Sequence, residues 1–176
     1  NGPHPIDHAM VLFGGGDPDV RCEMKHCLCS GDAEDYLKVV LSGKGRPTIE
    51  IELIDCIPHE QDRWLIGGTE GGLRGTGTSL EWKWVDWSTM PERPLSLEPT
   101  PDRSYNSEQV QWQTGSWERQ AETDAGAGAA PSDKPVMRLY ENLYDVIRNE
   151  AAQIITPQEV RSRVVVLEKA RKSAAE

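Results

Sequence analysis

Residues 36–53, YLKVVLSGKGRPTIEIEL, decide the fold because they hold two alternating runs joined by a short polar link. Apolar and charged side chains alternate over 48–53, which is the period of a strand with one buried and one wet face. The run 36–41 alternates in the same way and places on one face Leu37, Val39 and Leu41. The glycine-rich link at 42–47 suits an antiparallel hairpin better than a helical crossover.

Segments on both sides of this hairpin extend the pattern. Further strands are expected at 20–29, 64–67 and 79–85. Short, glycine-rich connections again favour antiparallel pairing. The middle of the chain is therefore predicted to be a mostly antiparallel sheet.

Three helices are predicted, one near the start of the chain and two near its end. In the first, apolar residues recur at helical spacing before glycines at 14–16 stop the helix: Ile6, Met10 and Phe13. The second, after Pro135, carries one apolar stripe: Val136, Leu139, Tyr140, Leu143, Val146 and Ile147. The third opens on a capping box at 156–159 and is expected to bury Val160, Val164 and Leu167. The fold class is therefore α+β, an open sheet with helices on one face.

Two segments lack this periodicity. Residues 86–117 are rich in proline and tryptophan and are interpreted as an extended arm pinned by tryptophans. Residues 119–134 are of low complexity and are expected to form a flexible linker. We expect a single domain over residues 1–176, since this length can bury a core without staples.

The net charge limits the classes of partner that the chain is expected to bind. A formal net charge of -10 argues against a nucleic-acid groove or an anionic membrane surface, since both need a basic patch. No apolar stretch reaches the ~20 residues needed to cross a bilayer, and nothing argues for export. We expect a cytoplasmic protein whose ligand is a small molecule or another protein. A sheet face left bare by the few helices is expected to form a homo-oligomer.

The cysteines and glycines offer two other kinds of site. Cys22, Cys27, Cys29 and Cys56 lack the paired two-residue gap of zinc ribbons and redox dithiols, which favours buried reduced thiols over a metal site. The glycines at 14–16 end a helix, and those at 67–77 lie between strands. Neither run leads into a helix N-terminus, so turn chemistry explains them better than a phosphate cradle. We therefore predict no metal site and no cofactor-binding residue in this chain.

His4 and His8 lie four apart with Asp7 between them and could share a helix face. Three interpretations stay open. The pair could bind zinc, although a third ligand is not evident; it could be a solvated or capping pair; or His4 could act in general acid/base catalysis.

Three stretches carry a resemblance to a known family. Gly2-Pro3-His4-Pro5-Ile6-Asp7, running into an apolar helix, resembles the Gly-x-His-x-x-Asp helix of the glucose-fructose oxidoreductase, inositol dehydrogenase and rhizopine-catabolism (Gfo/Idh/MocA) family. Residues 64–73 resemble its "Gly-x-x-Gly-x-Leu" strand and turn, and 139–147 with 156–160 resemble its closing helix pair. The resemblance spans nearly the whole chain and is weakest over the linker and the arm.

The resemblance implies an NAD(P)-dependent oxidoreductase that acts on sugars, polyols or related hydroxy compounds by hydride transfer. This chain would be its C-terminal domain, which supplies substrate contacts and the oligomer interface. The family's Rossmann domain and its Glu-Lys-Pro motif are not found in the chain, so NAD or NADP would be bound mainly by a missing N-terminal domain. His4 carries over as the catalytic residue, with Asp7 as a possible supporting partner.

Two function classes remain. The first is the C-terminal part of an oxidoreductase that is inactive alone. The second is a non-catalytic sheet domain for dimerisation or ligand binding.

Overall fold

A computed structural model of the chain describes residues 3–28, 31–59, 61–92, 97, 110–119 and 135–175. Within them the chain forms three α-helices, seven strands and one 3-10 turn: α1 Pro3–Phe13, β1 Asp19–Lys25, β2 Tyr36–Ser42, β3 Ile49–Ile54, β4 Trp64–Gly67, β5 Gly71–Gly75, β6 Ser79–Val85, the turn Trp87–Thr89, β7 Trp112–Glu118, α2 Pro135–Asn149 and α3 Pro157–Ala174. Every strand pairing is antiparallel, which confirms the α+β class.

The strands divide between two sheets, β1-β2-β3 and β4-β5-β6-β7. The chain correspondingly separates into two compact units, Asn1–Pro58 with Gly126–Glu176, and His59–Ala125. The assignment of residues 1–176 to one domain stays a prediction. Apart from Arg119, the predicted linker at 119–134 lies outside the described residues.

The first unit is built on the hairpin of β2 and β3. Val39 of β2 pairs with Ile51 of β3, and Val39 and Leu41 are fully buried, as their alternation predicts. Two helices contribute to the same core through Ile6, Ala9, Met10 and Phe13 of α1 and through Val166 and Ala170 of α3. Burying these apolar side chains is the main force that docks both helices on the sheet.

The buried stripe of α3 agrees with the predicted one only at Leu167, which is partly buried against the core. Val160 and Val164 are 50% and 45% exposed, whereas Val166 and Ala170 are buried. The run Val164-Val165-Val166-Leu167 is apolar all round, so spacing alone does not select the face that packs. The predicted stripe of α2 is present on one side of that helix, but most of its members are exposed: Val136, Leu139, Tyr140, Leu143 and Ile147.

The second unit contains two strands that the sequence did not predict. β5 lies inside the glycine run that was interpreted as a turn, and β7 begins inside the predicted arm and ends one residue beyond it. Residues 93–96 and 98–109 of that arm are outside the described residues. Position 115 of β7 requires glycine, because a Cβ there would lie 2.5 Å from Cε2 of Trp82. Cross-strand packing of this kind outweighs the low strand propensity of glycine.

None of the helices in the described part of the chain combines the length and the apolar character that crossing a membrane requires.

Candidate active site

Helix α1 has two faces of opposite character. Its core face is formed by Ile6, Ala9, Met10 and Phe13. His4 precedes Phe13 by about two and a half turns and therefore lies on the opposite face, where its side chain is exposed. His8, one turn further on, shares that face and is also exposed. Val11 and Leu12, 66% and 48% exposed, continue it, so the two imidazoles lie beside accessible apolar surface.

Glycines close the C-terminal end of α1. The Gly15 N–H donates to the Met10 carbonyl and the Gly14 N–H to the Val11 carbonyl, both at 3.1 Å, which is the bond pair of a Schellman motif. Gly14 has φ of 81°, a left-handed conformation that favours glycine. Arg46 Nη1 also donates to the Gly14 carbonyl at 3.3 Å. The end of α1 is thereby fixed to the β2–β3 connection.

Asp7 is held by an ion pair with α3. Arg163 Nε donates to Asp7 Oδ1 at 2.6 Å, and the Arg163 side chain is 22% exposed. The acidic residue of the motif is thus anchored between two helices, one turn from His4 along α1. The role of His4 as catalytic residue and that of Asp7 as its partner stay predictions.

The N-terminus of α3 places Arg163 for this contact. The predicted capping box is formed: the Thr156 N–H donates to Glu159 Oε2 at 2.8 Å, and the Glu159 N–H donates to Thr156 Oγ1 at 3.2 Å. The Thr156 hydroxyl also donates to Glu159 Oε2, at 2.8 Å. The two bonds that the carboxylate accepts from the Thr156 N–H and hydroxyl, together with the charge of Arg163, lower the pKa of Glu159 below its ordinary value of 4.5. Arg163 follows Glu159 by one helical turn and lies beside Asp7.

A metal site and a dinucleotide site each require a specific arrangement of residues. Among the residues that the structure describes, no three His, Cys, Asp or Glu side chains are arranged to share an ion. Of the described glycine runs, 14–16 leads from α1 into β1, and 67–77 lies within the β4–β5–β6 hairpins. A dinucleotide cradle needs the reverse order, a strand that turns into a helix N-terminus. The described residues therefore do not fit a dinucleotide cradle.

Sequence reasoning missed the cations that fix α1 and the segment after it. Arg163 contacts Asp7 across 156 positions of sequence, so no local sequence pattern predicts this ion pair. Lys169 Nζ similarly contacts Asp17 Oδ1 at 2.6 Å and the Pro18 carbonyl at 3.0 Å. The basic residues of α3 gave no local signal of these contacts, because Arg163 and Lys169 lie six positions apart and about 120° apart around the helix.

The prediction that the cysteines are buried reduced thiols is wrong for their burial. Cys22, Cys27 and Cys56 are free thiols, but Cys27 is exposed and the other two are half-buried. Burial raises the pKa of the Cys22 thiol, and the negative charge of Glu34 raises it further. Cys29 lies outside the described residues.

The second unit presents an apolar sheet face. Register places on one side of β4-β5-β6-β7 the side chains of Trp64, Ile66, Leu73, Leu80, Trp82, Trp84 and Trp117. Ile66, Trp84 and Trp117 remain 42%, 40% and 44% exposed. The opposite side carries the charged residues Arg74, Glu81 and Lys83, together with Leu65 and Trp112, which are 85% and 51% exposed. The homo-oligomer expected from the sequence stays a prediction, and we call this surface the tryptophan face.

No protein-family model matches the chain, and no curated protein matches it either. Solved structures do match the chain. An NAD-binding protein from Listeria innocua is 22% identical, with a TM-score of 0.66 over 99% of this chain and 48% of that chain. An oxidoreductase from Bacillus cereus is 15% identical, with a TM-score of 0.66 over 97% of this chain and 48% of its own.

An oxidoreductase from Agrobacterium radiobacter, solved in complex with NAD+, L-tartaric acid and magnesium, is 16% identical, with a TM-score of 0.61. The match covers 99% of this chain and 46% of that one. The chain thus spans about half the length of the solved chains it matches. At these identities the likeness establishes the fold, and the fold is one found within NAD-binding proteins and oxidoreductases.

Proposed function

We propose that the chain is the C-terminal, substrate-binding and oligomerising part of an NAD(P)-dependent oxidoreductase of the Gfo/Idh/MocA type. The observation that carries the proposal is the fold match over 97–99% of this chain to oxidoreductases of about twice its length. The substrate class is a sugar, polyol or related hydroxy compound. The L-tartaric acid bound to the Agrobacterium protein is itself a hydroxy acid and favours this class.

The proposed role of His4 is proton transfer at the substrate hydroxyl. Histidine is the side chain best suited to exchanging a proton near neutral pH. The exposure of His4 leaves it accessible to a ligand, while the core face of α1 and its Schellman end fix the helix that carries it. A catalytic group must be held in place in this way to act as a general base.

The cofactor is assigned to residues outside this chain, because the described residues form no dinucleotide cradle. When bound, nicotinamide supplies the acceptor for the hydride that leaves the carbinol carbon. NAD and NADP are equally compatible with the proposal. We also propose a cytoplasmic location, in keeping with the free thiols of the first unit.

The test uses the full-length protein and this chain side by side. Each is incubated with NAD or NADP and a panel of polyols, sugars and hydroxy acids, and reduced nicotinamide is followed by absorbance. We expect turnover with at least one substrate by the full-length protein. We also expect that calorimetry detects no micromolar cofactor binding by the chain alone. Tight cofactor binding by the chain alone would contradict the division of labour proposed here.

A second candidate function is a non-catalytic sheet domain that dimerises. The tryptophan face favours it, because a contiguous apolar surface of this kind is typical of an interface. A full-length protein that binds no nicotinamide cofactor but self-associates through this face would favour this candidate over the first.

A further inference from the structure

Two free thiols come together at one end of the three-stranded sheet. Lys25 of β1 and Ile54 of β3 both pair with Tyr36, the first residue of β2. The chain leaving β1 reaches Cys27 on one side of this position, and the chain leaving β3 reaches Cys56 on the other. The topology therefore brings both cysteines to the same edge, although 28 residues separate them.

Asp35, which immediately precedes β2, draws the two segments together. Its side chain is 6% exposed, and its carboxylate accepts hydrogen bonds from the Cys27 N–H at 2.6 Å and the Leu28 N–H at 2.7 Å. Its carbonyl accepts from the Asp55 N–H at 3.0 Å. One buried residue thus holds the backbone beside both cysteines, and such charge-assisted bonds are the strong ones.

The two cysteines are neighbours beside Asp35. Burial first, and then the neighbouring Cys27 thiol, raise the pKa of Cys56. Cys27 is exposed and Cys56 is half-buried, so a reagent in solution reaches Cys27 first. Cys22 is placed differently, in the middle of β1, where it pairs with Val39.

We propose that Cys27 and Cys56 form a redox pair that a small disulfide such as glutathione disulfide converts to an intramolecular disulfide. The Cys27 thiolate attacks one sulfur of glutathione disulfide, whose S–S bond breaks and releases one glutathione. Cys56 then loses its proton and attacks the Cys27 sulfur, and the mixed disulfide breaks to release the second glutathione. The two protein thiols lose two electrons and two protons, and glutathione disulfide is reduced to two glutathione molecules.

The disulfide would join the segments that follow β1 and β3 across the start of β2. It would close a loop that contains the whole of β2 and β3 and would restrict the unfolded chain accordingly. The same sheet packs against α1, the helix that carries His4. Oxidation would therefore make the sheet beneath that helix more rigid.

The experiment exposes the chain to glutathione disulfide, alkylates the remaining thiols, and maps the linked peptides by mass spectrometry. We expect a Cys27–Cys56 link in the unaltered chain and a mass loss of two hydrogens. We expect the oxidised form to melt about 5–10 °C higher, with reversal by dithiothreitol. Cys56→Ser should stop at a glutathione adduct on Cys27, whereas Cys22→Ser and Cys29→Ser should still form the link.

Two results would overturn the proposal. One is a stable glutathione adduct on Cys27 of the unaltered chain, which would mean that Cys56 does not resolve it. The other is a link from Cys27 to Cys29 in place of Cys56. Both are read from the unaltered chain and so do not depend on the folding of a variant.

Discussion

At the residue scale, the candidate site depends on which side of α1 a residue occupies. His4 and His8 lie on the exposed side, and Met10 and Phe13 lie in the core. The motif that carries the resemblance places its histidine where a substrate can reach it. Its aspartate is instead engaged by Arg163. These two placements lead to separate predictions.

If the proposed function holds, we expect His4→Ala in the full-length protein to lower turnover by roughly 10²- to 10⁴-fold, the usual span for loss of a positioned acid/base group. Cofactor affinity should change little, because the proposed cofactor site lies outside this chain. His8→Ala is the matched control on the same face and should have a much smaller effect. Steady-state kinetics at saturating cofactor measures both variants. Full activity of His4→Ala would leave a capping or solvated role for His4.

A comparison of two variants can distinguish a catalytic role of Asp7 from its structural role in the ion pair with Arg163. Asp7→Asn and Arg163→Gln both break the Arg163–Asp7 contact, and each should cost about 0.2–1 kcal/mol of unfolding free energy because the pair is partly exposed. If Asp7 also supports His4, only Asp7→Asn should lower turnover appreciably. Denaturant melts and kinetics on the two variants provide the comparison. Equal turnover in both variants would assign Asp7 to helix packing alone.

At the element scale, α1 is held mainly by its core face. Met10 is 2% exposed, so Met10→Ala should lower the unfolding free energy by about 2–4 kcal/mol through lost burial and a residual cavity. Leu12 lies on the exposed face, and Leu12→Ala should cost under about 0.5 kcal/mol. Urea denaturation of both variants checks the difference. Similar losses in the two would mean that α1 packs by another face.

The start of α3 should weaken in acid. The pKa of Glu159 is lowered in the folded state, so its contribution to stability is present above the unfolded value and is lost as the pH falls through the lower folded value. Glu159→Gln keeps a side chain that can cap but removes the charge. The melting temperatures of the natural chain and Glu159→Gln should therefore differ most above the ordinary pKa of 4.5 and converge as the pH falls below the lowered folded pKa. A constant difference across this range would contradict the assignment.

The elements also show where sequence reasoning succeeds. Alternation around Val39 and Ile51 predicts β2, β3 and their buried face, because each strand has one face on the core. β5 was missed because it is rich in glycine, which carries little strand signal, and β7 was missed because it lies at the end of the proline-rich segment interpreted as an arm. Gly115 is explained only by the neighbouring Trp82, a contact between strands. The site follows the same rule: the histidine is visible in a local motif, whereas Arg163 comes from a distant helix.

At the scale of the whole molecule, the two units carry different candidate roles. The first holds α1 with its histidines and the Cys27–Cys56 pair. The second holds the tryptophan face. The proposed oxidoreductase needs both, one for chemistry and one for self-association, together with a cofactor domain outside this chain.

The tryptophan face should form the contact between two copies of the protein. Trp84 is 40% exposed on this face, and Trp84→Glu would place a charge where apolar surface is buried between subunits. Light scattering on the full-length protein at tens of micromolar should show an oligomer that Trp84→Glu shifts toward monomer. Thr114→Glu is the matched control, since Thr114 pairs with Lys83 and lies on the opposite side of the sheet. It introduces the same charge and should leave the oligomer intact. A natural protein that is monomeric at this concentration, or equal dissociation by both variants, would reject the face as the interface.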